Sequence, residues 1–91
     1  MKPPAGRSAW FVYLLRCADG ALYTGITTDV ERRVAEHNGN HGLGARYTRS
    51  RRPVTLAYME PASSRAEAAR REAAIKQLDR TRKLALCSLP A

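Results

Sequence analysis

WFVYLLRCADGALYTGI, residues 10–26, is the stretch that decides the fold. Trp10 to Cys17 and Ala21 to Ile26 are both rich in aromatic, branched and leucine side chains, and Ala18-Asp19-Gly20 between them are turn formers, so the segment reads as a β-hairpin. Loop length sets which side chains share a face. A two-residue Asp19-Gly20 turn would put Tyr13 and Tyr23 on opposite faces of the sheet. A three-residue loop with Gly20 left-handed instead pairs Cys17 with Ala21, Leu15 with Tyr23 and Tyr13 with Gly25. The second register is the expected one, because it brings both phenols to one face and leaves the Tyr13 ring room over Gly25.

Outward from the hairpin, Thr28-Asp29-Val30-Glu31 has the pattern of a capping box with Thr28 as the cap. The helix it opens runs to about Asn38-Gly39, with Val30 and Val34 facing the sheet and Arg32 and Glu36 paired outward. Arg33 and His37, also four apart, flank the apolar stripe and point at the edge of the sheet. Gly39 to Pro53 is a glycine-rich and then arginine-rich connection, long enough to suggest a function. Val54 to Met59 reads as a third strand with Val54, Leu56 and Tyr58 on one face. Ser64-Arg65-Ala66-Glu67 is a second capping box before a helix to about Leu78, and Thr81 is the expected cap of a short last helix carrying Leu84. The expected fold is a small α/β domain, a three-stranded antiparallel sheet flanked by helices in the order β-β-α-β-α-α. Residues 1–9 read as a flexible basic arm and residues 10–89 as one domain.

Ninety-one residues bound this to one domain with a thin core, in which an inward-facing polar residue needs a partner. The formal charge is +8, and thirteen of the sixteen cations are Arg, whose planar fork matches phosphate oxygens. The implied partner is a polyanion. Arg46, Arg49, Arg51 and Arg52 surround Tyr47, a mixture of cations and an aromatic that suits backbone contact together with base stacking. Two cysteines, Cys17 and Cys87, and an N-terminus without a cleavable leader pattern point to the cytoplasm and reduced thiols. Ala9 to Leu15, the longest uncharged apolar run, has seven residues, far short of the ~20 of a membrane helix. Cys17, His37, His41 and Cys87 lack the close pair spacings of structural zinc.

Two phenols, a guanidinium and an imidazole at one end of a hairpin can handle a phosphate and a proton together. In this order the residues resemble the GIY-YIG nuclease family, in particular its stand-alone, single-domain bacterial members. Tyr13 stands in the first triplet, Tyr23 and Gly25 in the second, Arg33 follows Tyr23 by ten residues, His37 comes four later, and Glu72 before Ile75-Lys76 matches the glutamate of the later helix. Gly44-Ala45-Arg46-Tyr47-Thr48 with Arg52-Pro53 is similar to the loop of the stand-alone subgroup. The first triplet, Val12-Tyr13-Leu14, keeps only its tyrosine, and Thr24 replaces the usual isoleucine.

The resemblance implies hydrolysis of DNA phosphodiesters by an endonuclease that uses Mg²⁺ or Mn²⁺, with a role in DNA processing or repair. It implies that Glu72 holds the metal, Arg33 binds the scissile phosphate, Tyr13 acts as general base or relay, and Tyr23 positions water or phosphate. His37 is an alternative base, proton donor or phosphate ligand, and the choice between it and Tyr13 stays open. Arg46, Tyr47, Arg49, Arg51 and Arg52 are the expected nucleic-acid contacts, DNA before RNA. The chain shows no second, specificity-giving domain, so a protein partner or a DNA structure is expected to set the target. The competing reading is a nucleic-acid-binding module without turnover.

Overall fold

A computed structural model describes residues 9–39 and 45–88. The arm expected over residues 1–9 lies outside them except for Ala9, as do Gly44 of the loop block and His41. Strands β1 (Trp10–Arg16), β2 (Leu22–Thr27) and β3 (Thr55–Ala62) form an antiparallel sheet in the order β2-β1-β3. Helices α1 (Val30–Asn38), α3 (Arg65–Lys76) and α4 (Arg80–Cys87) complete the expected order, with one addition, the single turn α2 (Arg46–Arg49) inside the arginine-rich connection.

The hairpin takes the three-residue loop. The Cys17 amide donates to the Ala21 carbonyl at 2.8 Å, the Gly20 amide returns to the Cys17 carbonyl at 2.9 Å, and Gly20 sits at φ 86°, where glycine alone is free of strain. Leu15 faces Tyr23 and Tyr13 faces Gly25, as the loop length requires. A Cβ at Gly25 would lie 2.5 Å from the Tyr13 hydroxyl, so the ring rests directly on the backbone of β2 and the phenol is carried towards that strand's free edge.

The third strand departs from the alternation read in its sequence. Leu14 pairs with Tyr58 but Leu15 pairs with Leu56, so Ala57 is an extra residue, a β-bulge. Tyr58 therefore joins the Val12 face, whereas Leu56 lies on the Tyr13 face and Val54 packs beneath it. Two caps also shift. Asp29, not Thr28, accepts the Arg32 amide at 3.0 Å, and Asp79, not Thr81, accepts the Arg82 amide at 2.9 Å. An aspartate has two acceptor oxygens on a short stem and competes well with threonine for a free helix amide. Ser64 caps α3 as expected, with the Glu67 amide at 3.1 Å.

The sheet separates two cores. Val12 and Leu14 pack with Ala68 and Ile75 of α3, bordered by Trp10, Ile26, Tyr58, Leu86 and Cys87. On the other face Tyr13, Leu15, Cys17 and Val54 pack with Ala21, Tyr23 and Val34 of α1. No helix among the described residues is long and apolar enough to cross a membrane.

Candidate active site

The second core is where polar side chains enter the interior. Tyr13 and His37 are each 1% exposed, and buried groups with hydrogen-bonding atoms persist only when partnered. The Tyr13 hydroxyl lies 3.0 Å from His37 Nε2 and also receives the Arg33 guanidinium. His37 Nδ1 lies 2.8 Å from the Thr48 hydroxyl, and Thr48 is fully buried. The i, i+4 spacing on α1 thus sends Arg33 and His37 to one phenol. Glu36 holds Arg33 from the opposite side at 2.8 Å and meets Arg32 at 3.7 Å.

Tyr23 stacks obliquely beside this cluster, 5.1 Å from the His37 ring and 6.4 Å from Tyr13, and Tyr47 follows at 5.9 Å. Glu72 comes from the other side of the sheet. It sits on the stripe of α3 between buried Ala68 and Ile75, half-buried, with Lys76 at 3.5 Å. A hollow of about 340 Å³ touches Tyr23 on one face of β2, Leu22 and Thr24 on the other, and Tyr47, Lys76 and Lys83, which places it around the free edge of that strand.

Burial pushes the Tyr13 phenol up to about 12; the Arg33 hydrogen bond and charge oppose this, while Tyr23 and Glu72 add to it. Burial, reinforced by the Arg33 charge and opposed by Glu36, brings His37 down to about 4. Near neutral pH both are uncharged, and Arg33 supplies the positive charge at the phenol.

The sequence-named residues of the connection divide into two groups. Arg46, Tyr47 and Arg49 face solvent. Arg51 is turned onto its own surroundings: it pairs with Asp19 at 3.0 Å, donates to the Tyr47 carbonyl and lies over the Tyr47 ring at 4.2 Å. Arg52 donates to the carbonyls of Arg49 and Gly39, closing the loop on α1. Three residues were given no role at the site by the sequence reading. Lys76 was named only beside Glu72, four residues before it on the same helix face. Lys83 depends on how α4 packs, and Thr48 was named only as part of the loop block, whose pattern does not show that it turns inward.

The comparisons with known proteins show the family and the fold. The model of the GIY-YIG catalytic domain matches residues 9–85. A UPF0213 protein of Desulfotalea psychrophila is 60% identical over 85 residues, 93% of this chain and 76% of that one. A UPF0213 protein of Halobacterium salinarum is 60% identical over 75 residues, 82% of this chain and 95% of its own. The solution NMR structure of a UPF0213 protein from Bacillus halodurans superposes with a TM-score of 0.54 at 46% identity, covering 87% of this chain and 82% of the other.

Proposed function

Since the chain belongs to the GIY-YIG family, we propose that it is a divalent-metal-dependent endonuclease hydrolysing DNA phosphodiesters, a cytoplasmic enzyme of DNA processing or repair. The observation that supports this reading is the buried cluster in which the Tyr13 hydroxyl lies 3.0 Å from His37 Nε2 and receives the Arg33 guanidinium, next to Tyr23, which also lines the cationic hollow at the β2 edge.

Arg33 binds the scissile phosphate with its fork and offsets the charge that grows on the oxygens as water attacks. Tyr13 receives the proton of that water or passes it on, and Tyr23 beside it orients the water or phosphate. A phenol near 12 keeps its own proton at neutral pH, so Tyr13 can take up the proton of water only as it gives its own away, a transfer that the positive charge of Arg33 favours. The described residues contain no cluster of three or more His, Cys, Asp or Glu side chains able to hold a metal. A lone half-buried carboxylate fits Mg²⁺ or Mn²⁺, which keep most of their waters and share the rest with substrate phosphate. Bound at Glu72, such an ion supplies Lewis-acid stabilisation of the phosphate charge. Lys76 and Lys83, which line the hollow together with Tyr23 and Tyr47, hold the nucleic-acid strand along it, and Arg46 and Arg49 extend the cationic surface.

The test is incubation with single-stranded, duplex and branched DNA and with RNA, in Mg²⁺, Mn²⁺ or EDTA. Cleavage that needs metal is expected, strongest on a DNA substrate. Glu72→Ala and Arg33→Ala are expected to lower the rate by at least about a hundredfold while leaving most affinity. Binding without turnover on every substrate would replace this reading with the binding module.

A further inference from the structure

The arginine-rich connection has an inner side as well as an outer one. While Arg46, Tyr47 and Arg49 face solvent, Thr48 on the same turn is fully buried and reaches His37. We propose that this turn fixes the proton of His37 on Nε2, through the Thr48 hydroxyl and the Ala45 amide acting together on Nδ1, and thereby makes His37 a hydrogen-bond donor to Tyr13.

The argument runs through the acceptors. The ring is 1% exposed, so water has little access to either nitrogen. Nδ1 has two neighbours, the Thr48 hydroxyl at 2.8 Å and the Ala45 backbone amide at 3.4 Å. A backbone N–H only donates, so Nδ1 must present its lone pair to Ala45. The Thr48 hydroxyl is a rotor with two places to send its proton, His37 Nδ1 and the Ala45 carbonyl at 3.0 Å. That carbonyl has lone pairs for both the Thr48 amide at 3.1 Å and the hydroxyl, so the deciding contact is the Ala45 amide: an Nδ1 without a proton, 2.8 Å from the Thr48 oxygen, draws the hydroxyl proton between them. A neutral imidazole carries one proton, and the remaining nitrogen, Nε2, faces the Tyr13 oxygen at 3.0 Å. Burial keeps the ring neutral far below pH 7.

The consequence falls on Tyr13. Its oxygen accepts from Nε2–H and from Arg33, so neither group can take its proton, which must pass to an oxygen of water or of substrate admitted beside it. When that proton leaves, the phenolate is already held by two donors and needs no reorganisation. His37 is then the group that holds the Tyr13 oxygen and not the group that takes its proton. Thr48 is a positioning residue acting through His37. Its effect on catalysis rests on the nuclease reading above; the tautomer does not.

Long-range ¹H–¹⁵N NMR of the full chain labelled at histidine, with His37 assigned by the signals lost in His37→Gln, reads both nitrogens directly. The expected result at pH 7 is a protonated Nε2 and an Nδ1 resonance shifted by accepting a hydrogen bond. Thr48→Val should move Nδ1 towards the value of an unbonded lone pair and slow cleavage about ten- to a hundredfold, while Thr48→Ser keeps both. A protonated Nδ1 in the unmodified protein overturns the proposal, and so does a Thr48→Val protein with unchanged Nδ1 and rate. Should Thr48→Val fail to fold, the unmodified protein and Thr48→Ser still decide the matter. Absence of cleavage by the unmodified protein would overturn the nuclease reading and leave the tautomer to the spectrum.

Discussion

On one face of the sheet Val12 and Leu14 meet Ala68 and Ile75 in a layer whose buried centre is aliphatic; on the other, Tyr13 from the same strand meets His37 and Arg33, with Thr48 behind His37. Both layers are equally well closed from water around β1, yet only the first could be rearranged without leaving a polar atom unmatched. A domain this small needs most of its interior for stability, and here one strand serves two layers by alternation: even-numbered residues pack against α3, and odd-numbered Tyr13 enters the polar cluster on the side of α1. The lesson is that burial alone does not identify a structural residue. What separates the two layers is whether each buried atom has a hydrogen-bonding obligation.

That contrast can be broken most sharply at Tyr13. Tyr13→Phe keeps the ring on Gly25 and removes only the oxygen, so cleavage should fall by about 10²–10⁴ while stability drops by about 1 kcal/mol. Parallel cleavage assays and urea melts check this, and a rate within a factor of a few of the unmodified protein would deny the phenol any role in chemistry. The mirror experiment is Leu14→Ala. It should cost about 3 kcal/mol of stability, a fall of roughly 12 °C or more in Tm, with the cleavage rate per folded molecule little changed. Equal loss of both properties would mean that the faces do not divide the work.

A gentler probe is acid. His37 titrates at about 4 in the native protein against an ordinary 6.5, so unfolded chains take up a proton that the folded form declines. The associated stability is present above pH 6.5 and is lost as pH falls towards 4, by roughly 3 kcal/mol at most. Denaturant melts at intervals between pH 7 and pH 4 should show this slope, and His37→Gln should flatten it. An unchanged slope in that variant would place the acid sensitivity elsewhere.

Most of the first half of the fold was legible because its determinants are local. Loop length and the left-handed Gly20 set the hairpin register, and the register set which phenol met Gly25. The spacing of Arg33 and His37 on one helix likewise needed no tertiary information to bring them together. The third strand was not legible in the same way: its apolar residues keep a period of two through Ala57, and only pairing with β1 shows that one residue is extra. Thr48 meets His37 across a glycine-rich connection, eleven positions on, and Lys83 reaches the hollow because α4 folds back over the sheet. Such approaches are properties of packing, and no periodicity announces them.

The bulge at Ala57 has a bearing on how this protein behaves in a crowded solution. β3 is a rim strand, and it shows Leu56 and Met59 at 43% and 46% exposure, a combination that ordinarily invites a neighbouring chain to add itself as a fourth strand. The irregular step at Ala57 and the missing N–H of Pro61 interrupt the ladder that such a visitor would have to continue. The rim is thus protected against self-templated growth by its own irregularity.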